Sequence, residues 1–122
     1  MVFRPLIGVR LHGWLDDLVT ATYLLGMALL GLVGAARTVA IAGAAVHFML
    51  TRLTNYPQGT FKLIPFRTHA FIELGEGIGV LVAAVALIGE PAAARGFLAL
   101  MGLSQFGAFA FSDYTTPGVA AG

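Results

Sequence analysis

Four long apolar runs, separated by short polar breaks, leave this chain few ways to fold. Leu11 to Val33 is apolar apart from His12, Asp16, Asp17, two threonines and Tyr23. At about 23 residues it is long enough to cross a bilayer with some tilt. The other runs are Thr38 to Leu53, extending into Thr54-Asn55-Tyr56, then His69 to Ile88 and Gly96 to Phe111. The breaks are Gly34-Ala35-Ala36-Arg37, with Gly34 read as a helix C-cap, then Pro57-Gln58-Gly59 and Gly89-Glu90-Pro91. A water-soluble bundle needs a polar face on every helix. Here charged residues are only 11% of 122, and mean hydropathy is +0.88. The expected fold is therefore all-α and integral to the membrane: one domain, residues 1–122, forming a four-transmembrane-helix bundle with the lipid bilayer as its first partner. A formal net charge of +1 gives no support to a nucleic-acid partner. The absence of cysteine excludes disulfides and thiolate metal sites.

The two halves of the chain align with each other. Arg10-Leu11-His12-Gly13-Trp14-Leu15-Asp16 matches Arg67-Thr68-His69-Ala70-Phe71-Ile72-Glu73. Ala36-Arg37 matches Ala94-Arg95, and Thr54-Asn55-Tyr56 matches Ser112-Asp113-Tyr114, with one residue of slip in a loop. Each half reads as a helical hairpin, repeat 1 over 10–56 and repeat 2 over 67–114. Each copy has two spans, so both have the same orientation, and the pattern predicts tandem parallel repeats about an axis along the membrane normal.

The Arg-x-His-x-x-x-acid entries, and Leu53-Thr54-Asn55-Tyr56 followed by Lys62-Leu63-Ile64-Pro65, resemble the small four-helix bacterial membrane proteins of the SPW-repeat type. The resemblance covers nearly the whole chain. The Ser-Pro-Trp signature itself is missing: the matching regions read Gly31-Leu32-Val33-Gly34 and Ile88-Gly89-Glu90-Pro91. The resemblance implies a fold and a bacterial inner (cytoplasmic) membrane, and no activity. The end holding both termini and the 54–68 loop carries Arg4, Arg10, Arg52, Lys62 and Arg67, against Arg37 and Arg95 at the other. The positive-inside rule then predicts cytoplasmic termini.

The chemistry-bearing residues concentrate toward that end. On a helix, residues four apart share a face, so His12 with Asp16, and His69 with Glu73, fall together, and Glu76 stays near the second pair. His47, Thr51 and Thr54 line one side of the second helix. Ionisable groups at membrane depth are costly and mark candidate functional sites. One reading is a half-buried pocket, open to the cytoplasm, made by His12, Asp16, His47, His69, Glu73 and Glu76. Arg10, Arg67, Tyr56 and Tyr114 would support it. Imidazole with carboxylate suits Zn, Mn or Fe, and a haem is also open. The other reading is an internal ion-pair network in which Arg10 neutralises Asp16 or Asp17 and Arg67 neutralises Glu73; a proton or ion path is a third. Gly75 and Gly79 form a G-x-x-x-G pair, read as close packing inside the bundle or as an oligomer contact. Trp14, Phe66, Tyr56 and Tyr114 read as an interfacial aromatic belt. No nucleophile–base arrangement and no phosphate loop is present. The expected function is a non-catalytic membrane protein, an accessory or structural subunit of a membrane complex or a homo-oligomer. The alternative is a protein that binds a metal, haem or small ligand.

Overall fold

The computed structural model describes residues 6–115. Arg4 and the tail from Thr116 to Gly122 lie outside the described residues. The chain forms α1 (Val9–Leu29), α2 (Gly34–Leu53), α3 (Phe66–Ala86) and α4 (Ala92–Phe111). Three of these, α2, α3 and α4, are long and apolar enough to cross a membrane. α1 is as long, at 21 residues, but His12, Asp16 and Asp17 dilute its apolar character.

The second and fourth helices are longer than the apolar runs suggest, 20 residues each. α4 starts directly after Pro91, whose fixed φ suits the entry to a helix. The C-cap expected of Gly34 falls to Gly31 instead. Gly31 has φ +60°, a left-handed conformation that glycine adopts without steric cost. The Leu32 amide reaches the Met27 carbonyl and the Gly31 amide reaches the Ala28 carbonyl, the paired bonds of a Schellman end. Gly34, with φ +56°, opens α2.

α1 packs chiefly on α2, and α3 on α4; α1 meets α4 sparsely. The close approach expected of Gly75 and Gly79 is made elsewhere. Both lie on the exposed face of α3, where an added Cβ would meet nothing within 4 Å. The pair in close contact is Gly77 and Gly102. A Cβ on Gly102 would come within 2.9 Å of the Gly77 carbonyl oxygen, so these glycines let α3 and α4 backbones touch. Gly43 plays a similar part for the Tyr23 ring.

One half of the interior is apolar, built on Ala36, Ala40, Ala44, Val80, Ala84 and Leu98. The other half is polar. Two extended links close it. After α2, Thr54 pairs with Ile64 ahead of α3; after α4, Ser112 pairs with Ile7 ahead of α1. The amides of Asn55 and Asp113 donate to the carbonyls of Ile64 and Ile7, each at 2.8 Å. These bonds satisfy backbone groups at the helix ends. They also set the Thr54 and Ser112 hydroxyls against the histidines.

Candidate functional site

His12, Asp16, His69 and Glu73 are all buried, and each offers a donor atom within 4.8 Å of the others. His12 and Asp16 come from α1, His69 and Glu73 from α3, each pair one helical turn apart. The rings of Tyr56, Phe66 and Tyr114 pack around the two imidazoles. The centre is thus sealed at that end, not open to the cytoplasm as the sequence suggests. For the same reason Tyr56, Phe66 and Tyr114 are not an interfacial belt: only Trp14 among the four is exposed.

Imidazole orientation is set by hydroxyls. The Thr54 hydroxyl donates to the Leu50 carbonyl at 2.6 Å, so its oxygen accepts from His69 Nδ1 at 2.8 Å. His69 Nδ1 therefore carries a proton, which turns Nε2 toward the centre. Ser112 Oγ lies 2.6 Å from His12 Nδ1. The two Nε2 atoms face each other at 3.1 Å.

Carboxylates cross between helices. Glu73 Oε2 is 3.2 Å from His12 Nε2, closer than its 3.6 Å to His69 on its own helix. Asp16 lies 3.3 Å from His69 Nε2 and 3.5 Å from His12 Nε2. The phenols complete the shell. Tyr56 donates to Asp16 Oδ2 at 2.6 Å, and Tyr114 to Glu73 Oε2 at 3.5 Å. Burial first, and then the adjacent carboxylates, push both phenols well above their ordinary pKa, so both remain O–H donors.

His47 extends the network from α2. Its Nε2 lies 3.1 Å from Asp16 Oδ1 and its Nδ1 2.7 Å from Glu76 Oε2. His47 thereby bridges a carboxylate of α1 and one of α3. Gln105 donates to Glu76 at 2.6 Å, and Tyr23 donates to Gln105 at 2.9 Å. The site expected from the sequence includes neither Gln105 nor Tyr23.

The arginines stand apart. Arg10 and Arg67 are exposed, and neither makes an ion pair among the described residues. Each sits two residues before its histidine, about 200° round the helix, on the opposite face. Asp17 pairs with Arg52 at 2.7 Å in a part-exposed bridge. The expected arginine–carboxylate neutralisation of Asp16 and Glu73 is therefore replaced by histidine.

Compared with protein-family models, curated proteins and solved structures, the chain matches none.

Proposed function

We propose that the chain is a small multi-pass membrane protein that binds one divalent metal ion, of the zinc, manganese or iron class, through His12, Asp16, His69 and Glu73. The observation that carries this is spacing. Separations from each imidazole Nε2 to the other, to Glu73 Oε2, and to Asp16 (Oδ1 for His12, Oδ2 for His69) run from 3.1 to 3.6 Å, and one donor atom from each of the four residues lies within 4.8 Å of the others. Donors at ~2.0–2.2 Å from a tetrahedral ion lie about 3.4 Å apart. Charge-assisted hydrogen bonds are shorter, ~2.7–2.9 Å. The nearby Tyr56–Asp16 and His47–Glu76 contacts, at 2.6 and 2.7 Å, have that tighter length. Most separations in the four-group centre exceed these lengths and lie near those of donors around a shared cation.

Charge supports the same reading. The two imidazole Nε2 atoms face each other at 3.1 Å, as two ligands of one ion would. The ion-pair partners of the buried carboxylates Asp16, Glu73 and Glu76 among the described residues are histidines, with no lysine or arginine beside them. Glu73 Oε1 and Glu76 Oε1 have no hydrogen-bond partner, a costly state at this depth. A divalent ion would put positive charge among these carboxylates. Four protein donors make a closed site, which favours a structural ion over catalysis. Haem fits poorly, because aromatic rings fill the space beside the imidazoles.

All four helices, α1 included, cross the inner membrane of a bacterium as two tandem hairpin repeats of the SPW-repeat type. The matched Thr54–Ile64 and Ser112–Ile7 pairings support the repeat. Arg10, Arg52, Lys62 and Arg67 favour cytoplasmic termini. An accessory-subunit role is compatible with the exposed apolar faces, such as Leu25, Phe71 and Val85, although lipid covers such faces equally well.

The test is purification in mild detergent, metal analysis, and titration with Co²⁺. Stoichiometric binding with the intense visible absorption of a tetrahedral Co²⁺ ion is expected, and loss of it in His12→Gln and His69→Gln. A wild-type protein that binds no ion stoichiometrically would return the cluster to a plain ion-pair network.

A further inference from the structure

A cavity of about 530 Å³ opens on the flank of the bundle between α1 and α4, where these helices meet sparsely. That size falls within the ~300–1,000 Å³ range of small-molecule sites. Its walls are apolar, with Leu18, Val19 and Met101 among them. The lining hydroxyls are already used: Thr22 donates to the Leu18 carbonyl and Ser104 to the Met101 carbonyl. The charged residues lining it are Asp16 and Glu73. Glu73 is fully buried, and its Oε1 has no partner.

We infer that this groove binds a membrane-dissolved alkylammonium amphiphile, its apolar body between α1 and α4 and its ammonium head on the Asp16/Glu73 carboxylates. Away from these carboxylates the lining hydroxyls are satisfied and the walls apolar, so the groove favours a ligand with an apolar body. A neutral amphiphile places no cation on the Asp16 and Glu73 carboxylates. A primary ammonium supplies a positive charge beside two buried carboxylates and an N–H donor for the unpartnered Glu73 Oε1. The head and a divalent ion use the same two carboxylates, so the two ligands exclude each other. The inference shares the carboxylates with the metal site but stands on the groove, not on tetrahedral spacing.

The experiment measures radiolabelled dodecylammonium bound to the full chain in phosphatidylcholine nanodiscs, with empty discs subtracted. Saturable binding of one molecule per chain is expected. Dodecanol, with the same tail and no charge, should bind at least about tenfold more weakly, as loss of a charged hydrogen bond implies. Gly107→Leu tests the groove: Gly107 lines it and a Cβ there meets nothing within 4 Å, so the position has room for a side chain that takes up cavity space. That variant should lose dodecylammonium while keeping zinc, and saturating Zn²⁺ should displace dodecylammonium from the wild type. Equal binding of dodecylammonium and dodecanol to the wild type overturns the inference whatever the variant does. So does unchanged dodecylammonium binding in Gly107→Leu. Zinc binding without dodecylammonium binding sinks the groove alone; the reverse sinks the metal site alone.

Discussion

Tyr56 and Tyr114 occupy matching places in the sequence, yet their removal should have unequal effects. Tyr56 is fully buried and donates to Asp16 Oδ2 at 2.6 Å. Tyr56→Phe removes a charge-assisted bond worth ~1.5–3 kcal/mol. Asp16 Oδ2 is then left with His69 at 3.3 Å, too long to replace it. Tyr114 reaches Glu73 at 3.5 Å, the outer limit of a hydrogen bond, so Tyr114→Phe should cost less than about 1 kcal/mol. The expected difference is therefore about 1–2 kcal/mol. It is read from reversible unfolding in mixed micelles, as a midpoint shift at constant slope. Burial keeps both phenols protonated, so ionisation of tyrosine contributes nothing to the difference near neutral pH. Losses equal within about 0.5 kcal/mol, or a larger loss for Tyr114, would refute the geometric reasoning, since uncertainty on extrapolated values is about that size.

The crosswise pairing predicts a larger coupling energy for His12 with Glu73 than for His69 with Glu73 in double-mutant cycles of the same unfolding measurement; the reverse order would mean that the same-helix pairs dominate. Asp16→Ala strips a buried centre of a carboxylate and should cost ~3–5 kcal/mol, whereas Asp17→Ala removes a part-exposed bridge worth ~0.2–1 kcal/mol. Gly102→Ala should destabilise by roughly 1–3 kcal/mol, because its Cβ would press on the Gly77 carbonyl. Gly75→Ala and Gly79→Ala, which face open space, should be neutral or stabilise by up to roughly 1 kcal/mol in thermal unfolding.

Local periodicity was enough to place the helices, because long apolar runs and the breaks between them are properties of contiguous chain. It also placed each histidine above its own acid, since a 3.6-residue turn puts positions four apart on one face. The same arithmetic puts Arg10 and Arg67 opposite His12 and His69, so their exclusion from the centre was legible in the spacing, although shared depth suggested otherwise. What spacing within one helix cannot say is which face meets which neighbour. That depends on the rotation and depth of whole helices, set by distant contacts such as Gly77 on Gly102 and the Thr54–Ile64 and Ser112–Ile7 pairings. Only these turn Glu73 toward His12, bring His47 between Asp16 and Glu76, and seal the histidines behind Tyr56, Phe66 and Tyr114. The groove between α1 and α4 is likewise a property of how two helices fail to meet, and no single stretch of sequence records it.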